Sequence, residues 1–155
     1  MALVFEHLPV ALEQPDNMTA REGMSLAALL GGLAFQIPKN AAVHACSFPL
    51  SNTWHLPHGT ACALTLDHFT RFNASALGER GAALARAAGF ADMYELADGI
   101  AHLKQLSGLP LRLSEVGVTE ADLASLVQAS FHPLMNNNPR PVSPEELEAL
   151  YRAIL

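Results

Sequence analysis

The residues best suited to chemistry in this chain are its histidines. There are seven, His7, His44, His55, His58, His68, His102 and His132, and three of them fall within 15 positions. The segment reads His44-Ala-Cys-Ser-Phe48-Pro-Leu-Ser-Asn-Thr-Trp54-His55-Leu-Pro57-His58-Gly59. Imidazole is neutral near pH 7 and binds divalent transition metals well. A loop between two helices can fold His44 and His58 back toward one point, which suits two ligands of one ion. Spacing leaves alternatives open. His55 and His58 also read as a short His-x-x-His pair, so a small site of His44, His55 and His58 is a second arrangement. Capping and packed histidines are a third. Cys46 is either a further ligand or a buried, inert thiol.

The elements that must position these residues read as helices almost throughout. Leu3 to Val10 suggests a short opening helix, closed by the turn signals Gln14-Pro15-Asp16-Asn17. Thr19-Ala20-Arg21-Glu22 has capping-box spacing, and a long apolar helix follows it. Its most apolar run, Met24 to Phe35, reads as a buried helix whose Gly31 and Gly32 admit a second backbone. Pro38 and Lys39 end it. Ala41 to Cys46 suggests a helical turn or two, and Phe48 to Pro57 reads as irregular. Helices are expected over 59–72, 74–88, 93–107 and 119–129, the second stopping at Gly89 and the third at Gly108. Asn136-Asn137-Asn138-Pro139 reads as a polar loop. Ser143-Pro144-Glu145-Glu146 is a full capping box with proline at the first helical position. With no alternating strand pattern longer than four residues, the fold class is all-α, an irregular bundle of roughly six to eight helices.

Bulk composition narrows the function. A chain of 155 residues suits one domain. Half its residues are hydrophobic and only 15% are charged, so the core is large or some apolar surface meets another domain or subunit. The formal net charge is -6 and no stretch clusters Lys and Arg, which argues against nucleic acid. Two cysteines make no disulfide framework, and reduced cytoplasmic thiols are expected. Residues 24–35 are too few to span a bilayer, and the opening residues lack a secretory pattern.

Several motifs, taken in order, resemble the iron-containing (group III) alcohol dehydrogenases. Ala20-Arg21 with Met24 resembles that family's Ala-Arg helix opening, and Gly32-Leu33-Ala34-Phe35 its Gly-x-Ala-Phe stretch. His44 matches a metal-binding histidine, and Pro57-His58-Gly59 the Pro-His-Gly signature whose histidine is also a ligand. Leu66-Asp67-His68, Phe72-Asn73 and Asn138-Pro139-Arg140 match later pieces. The resemblance covers essentially the whole chain and implies the helical, metal-binding C-terminal domain (dehydroquinate synthase-like). It implies that His44 and His58 hold a divalent ion, Fe2+ or Zn2+, and that Phe35 lines the substrate cleft, with a core Phe as the alternative reading of that residue. The expected activity is NAD(P)-linked interconversion of a small alcohol and its aldehyde.

Two departures from the family pattern matter. The family usually carries a second loop histidine four residues after the first ligand. Here Phe48 stands there, in Phe48-Pro49-Leu50-Ser51, and is expected to shape the substrate pocket, since it cannot relay a proton. The family's other two ligands, an Asp and a His, come from a helix upstream of the matched region, and no Asp-x-x-x-His precedes His44. Two imidazoles alone are a poor cage, because catalytic sites usually have three protein ligands. No Gly-rich phosphate loop is present either. A nucleotide-binding domain, in cis or in trans, is therefore the expected partner, with no catalytic residue assigned to this chain and a homo-oligomer possible through an apolar face. The isolated chain is expected to be inactive, and the alternative is a free-standing helical module without catalysis. Lys39 reads as a solvated lysine or a contact to an anionic substrate. His55 reads as a packing or substrate-side residue and not a ligand, and Trp54 as a packing anchor within the chain or at the interface with the nucleotide-binding domain. His68 reads as structural; His102 and His132 have no role assigned.

Overall fold

The computed structural model describes residues 1–155 and is all-helical. Seven α-helices follow in order: α1 (Ala2–Glu13), α2 (Met18–Ala34), α3 (Ala42–Trp54), α4 (His58–Ala88), α5 (Met93–Leu106), α6 (Leu123–Ser130) and α7 (Pro144–Ala153). Short 3-10 turns at Ser114–Val116, Glu120–Asp122 and Pro133–Asn137 join the later ones. None of the helices is long and apolar enough to cross a membrane.

The main core forms where α3, the first half of α4, α6 and α7 meet. On α3 the buried stripe is Ala42, Ala45, Cys46, Pro49 and Leu50. That i, i+3, i+4, i+7, i+8 spacing is one helical face. It carries the helix straight through Pro49, a residue that normally costs about 3 kcal/mol in a helix interior. The region expected to be irregular from Phe48 is thus helical to Trp54, because burial of the stripe outweighs local propensity. The helix stops where His55 adopts a left-handed conformation, φ 56°.

A smaller core of Ala85, Ala88, Met93, Leu96 and Ile100 joins the far half of α4 to α5, with Phe5 of α1 packed against it. The two helices expected over 59–72 and 74–88 form within α4, but the first runs on past residue 73. Its break comes at Gly78, φ 48° and ψ -130°, a backbone state that favours glycine. The Ser143 capping box forms as expected: Ser143 Oγ accepts from Glu146 N, and Ser143 N donates to the Glu146 carboxylate. The expected box at Thr19 does not form. Asn17 caps α2 instead, its side chain accepting from Ala20 N at 3.1 Å, since Asn is an equally good cap placed two residues earlier.

α2 corrects a second expectation. It is not buried: within this chain it packs on α1, and only Ala20 and Gly23 are covered. The close backbone approach falls at Gly23, where the His7 ring would lie 2.1 Å from an added Cβ, while Gly31 and Gly32 face open space. Leu26, Leu29, Leu30 and Leu33 are all exposed, with Leu29 at 61%. Hydrophobicity marks a surface that wants covering, and nothing in this chain covers it.

Candidate metal centre

α3 turns its small-residue face into the core, which leaves His44 on the flank of its first turn, half-buried. After Trp54 the left-handed His55 reverses the chain, and the Leu56 N–H donates to the Leu50 carbonyl at 3.4 Å. Pro57 then starts α4, placing His58 in its first turn and back toward His44. The two imidazole centroids lie 5.3 Å apart. Phe35, just beyond α2, lies 6.1 Å from the His44 ring. One turn after His58 on the same face of α4 comes Cys62, with His58 Nε2 and Cys62 Sγ 3.7 Å apart. The donor atoms of His44, His58 and Cys62 all lie within 4.8 Å of one another.

Ser47, fully buried, fixes how His58 presents itself. Its hydroxyl donates to the His44 carbonyl at 2.8 Å, which uses its one proton. At the 3.4 Å contact with His58 Nδ1 it therefore accepts, and the proton of His58 sits on Nδ1. The lone pair is left on Nε2, facing Cys62. Such a tautomer lock is what orients an imidazole for a cation. Burial, and secondarily the neighbouring His58, hold the His44 imidazole below its usual range, so it is neutral with a free lone pair. Burial pushes the Cys62 thiol up. Two imidazole nitrogens and one thiol make a borderline-soft donor set, which fits iron, zinc or cobalt in the divalent state and not magnesium.

The remaining sequence candidates separate cleanly. Cys46 is turned away from His44 into the main core beside Tyr151 and Ser130, and burial raises its thiol to about 12, so it is the inert alternative. There Ser130 Oγ donates to the Leu126 carbonyl and accepts from the Tyr151 hydroxyl at 2.7 Å. His55 is an exposed cap outside the donor group, so the His44–His55–His58 arrangement does not assemble. Phe48 shares the flank of α3 one turn beyond His44 and packs edge-on against the His132 ring at 5.0 Å. Lys39 is exposed. Trp54 packs on the main core and donates its indole N–H to the Gly117 carbonyl at 3.2 Å, an anchor within this chain. His68 lies 3.4 Å from Asp67, whose other oxygen takes the buried Lys104 ammonium at 2.6 Å. Sequence reading missed Cys62 and Ser47. The signal for Cys62 was the i, i+4 spacing His58-x-x-x-Cys62, which puts both on one face of any helix that starts at His58.

Other motif residues meet between α4 and the segment before α7. Asn138 Nδ2 donates to Asn73 Oδ1 at 2.7 Å and to the Arg140 carbonyl at 2.6 Å, and Asn73 Nδ2 returns a bond to Asn138 Oδ1 at 3.1 Å. The Arg140 guanidinium lies 3.9 Å above the Phe72 ring. Phe72-Asn73 and Asn138-Pro139-Arg140 thus form one clasp joining α4 to the segment before α7.

Comparison with known proteins agrees over the whole chain. The profile of the Fe-containing alcohol dehydrogenase family, C-terminal, matches residues 1–155. The 1-propanol dehydrogenase of Salmonella typhimurium is 34% identical over 99% of this chain and 45% of its own length. The 1,3-propanediol dehydrogenase of Klebsiella pneumoniae is 31% identical over 97% of this chain and 41% of its own. Among solved structures, sulfoacetaldehyde reductase from Bifidobacterium kashiwanohense, in complex with NAD+, superposes with a TM-score of 0.93 at 43% identity, covering 99% of this chain and 41% of that one. The chain therefore spans about two-fifths of the length of the relatives it matches. By fold, by motif order and by this match from end to end, the chain belongs to the Fe-containing alcohol dehydrogenase family, as its C-terminal domain.

Proposed function

We propose that this chain is the metal-binding half of an NAD(P)-linked alcohol dehydrogenase or aldehyde reductase, with His44 and His58 as two ligands of its divalent ion. The observation that carries this is the convergence of the two imidazoles, 5.3 Å apart, with His58 locked by Ser47 to present Nε2. When bound, Fe2+ or Zn2+ supplies a Lewis acid to the alcohol or carbonyl oxygen. His44 and His58 hold their lone pairs toward that position. Phe35 and Phe48 line the cleft beside His44, where they exclude water and limit substrate width. Phe48 has no proton to move, so any relay in this protein runs through other groups.

The nicotinamide carries the hydride and is held mainly by a nucleotide-binding domain, in cis or in trans. The exposed leucines of α2 suit that contact, with self-association as the competing use of the same face. The names of the relatives, 1-propanol dehydrogenase and sulfoacetaldehyde reductase, favour a short primary alcohol or its aldehyde as substrate.

The test is direct. The purified 155-residue chain is assayed with NAD+ or NADP+, Fe2+ or Zn2+ and short primary alcohols. We expect weak metal binding and no turnover, and robust oxidation by the chain alone overturns the assignment of nucleotide binding to a partner. Genomic sequence upstream of the Met1 codon separates this reading from a free-standing module: a frame encoding a nucleotide-binding domain with an Asp-x-x-x-His helix supports the enzyme, and unrelated sequence supports the module.

A further inference from the structure

We propose that His132 is a specificity-determining residue of the cleft beside His44, donating its Nε2–H to an acceptor oxygen at the far end of a two- or three-carbon alcohol or aldehyde. The inference rests on the reading that the reacting oxygen of the substrate is held at His44 and His58, and it adds a residue that reading does not include. Three observations carry it. First, the 3-10 turn Pro133–Asn137 is laid along the flank of α3 that carries His44. One end is held where Asn137 Nδ2 donates to the Asn40 carbonyl at 2.9 Å, just before α3. The other is held where the His132 ring meets Phe48, one turn beyond His44. The two lengths agree: a 3-10 rise of about 2.0 Å per residue carries 132 to 137 about 10 Å, and a helical rise of about 1.5 Å carries 40 to 48 about 12 Å. His44 stands midway between those anchors in sequence. Second, His132 is fixed in one tautomer. Its Nδ1 accepts from the Leu134 N–H at 3.3 Å, so the ring proton of the neutral imidazole sits on Nε2. Third, the ring is held edge-on against Phe48, centroids 5.0 Å apart and planes at 73°, yet remains exposed, with Nε2–H uncommitted within the chain.

Phe48 and His132 divide the far wall between them. The Phe48 ring limits width and offers no hydrogen bond, and His132 supplies the one polar group beside it. One helical turn, about 6 Å, separates Phe48 from His44 along α3, which is the reach of a short substrate lying along that flank. An apolar cleft with a single placed donor orients a small ligand by its polar end. A hydroxyl or an oxyanion at that end accepts from Nε2–H, whereas a terminal methyl cannot. The bond leaves the reacting end untouched, so His132 sets which substrate is held and takes no part in the chemical step.

The experiment follows the seven imidazole signals of the 155-residue chain by NMR, with its histidines isotope-labelled. The chain is given excess Zn2+ and then titrated with 1-propanol, 1,3-propanediol and 2-hydroxyethanesulfonate. We expect Zn2+ to shift His44 and His58. The diol or the sulfonate then shifts His132 saturably and binds about threefold to tenfold tighter than 1-propanol, the worth of one hydrogen bond. A preference for the diol identifies the acceptor as a hydroxyl, and one for the sulfonate as an oxyanion. His132→Phe keeps an aromatic edge on Phe48 but removes the donor, and it abolishes the preference while His44 and His58 still answer zinc. His132→Gln keeps an N–H donor and restores part of the preference. His132 is exposed, so both variants fold, as circular dichroism checks. If zinc shifts His44 and His58 but neither probe binds better than 1-propanol, or if the preference survives H132F, the role of His132 is overturned and the histidine pair stands. No zinc response at His44 and His58 overturns both.

Discussion

The chain holds two polar clusters built from motif residues, and they are satisfied in opposite ways. In the clasp of Asn73, Asn138 and Arg140, donors meet acceptors: each amide both gives and takes, and the guanidinium rests on Phe72. At His44, His58 and Cys62 the groups that face one another are lone pairs and a weak thiol donor, so they share little with each other beyond the 3.7 Å contact. A polar cluster closed on itself holds the fold together. A cluster of like acceptors suits something positively charged between them. The difference says that the Asn-Pro-Arg piece is spent on architecture and that the His-rich piece is left open for chemistry, although both mark the family in sequence.

The largest effect should come from His58→Ala. Losing a group that merely orients a ligand already costs about 10–100-fold in metal affinity, so losing a ligand should cost at least about a hundredfold. His58 is exposed, and the unfolding free energy of the metal-free chain should change by no more than about 0.5 kcal/mol. Calorimetric Co2+ binding and urea denaturation on the same samples check both halves. A destabilised variant with unchanged metal affinity would place His58 with the clasp.

Asn138→Ala is the mirror experiment. Asn138 is buried, and the change removes three hydrogen bonds and strands part of the Asn73 amide. About 2–3 kcal/mol of stability should be lost. Metal affinity should stay within about twofold, since a small change of affinity is well under 1 kcal/mol. Ser47→Ala lies between the two. Ser47 touches His58 and the His44 carbonyl but is no ligand, so it is a positioning residue. Metal affinity should fall about tenfold through loss of the Nδ1 anchor, with about 1 kcal/mol of stability lost alongside. An unchanged affinity in a folded S47A chain would mean that the tautomer lock is idle.

How much of this contrast was legible in the sequence depends on what each element leans on. α5 and α7 read correctly because their signals are local: a terminal Gly108 for one, and Ser143-Pro144-Glu145-Glu146 for the other. α3 did not, because Pro49 and the Ser and Asn residues around it argue for loop, and only the tertiary burial of Ala42, Ala45, Cys46 and Leu50 reverses that. The exposure of α2 was illegible for a related reason. Apolar periodicity states that a face should be covered but not by which chain. At the site, His44, His58 and Phe35 came from family motifs, and the structure brings their rings near one another. Cys62 belongs to no quoted motif, and its placement became visible only once His58 was known to open a helix.

The smallest effect separates the two cysteines, which repeat the same contrast one residue type at a time. Cys46 stands two residues from His44 in sequence, yet α3 turns it into the core at 0% exposure beside Tyr151 and Ser130. Cys62 stands farther off in sequence, yet α4 turns it to the two imidazoles and leaves it partly open. A reagent reaches a thiol only through an opening, and opening the main core requires unfolding much of α3, α6 and α7. A maleimide should therefore modify one thiol per native chain and two in denaturant, with native labelling abolished by C62S. Excess Zn2+ should slow the native reaction, because an ion held by His44 and His58 stands beside the Cys62 sulfur and hinders the reagent. Equal labelling of both thiols in the native chain would mean that the α3 stripe opens readily, and the division between a closed core and an open donor cluster would fail with it.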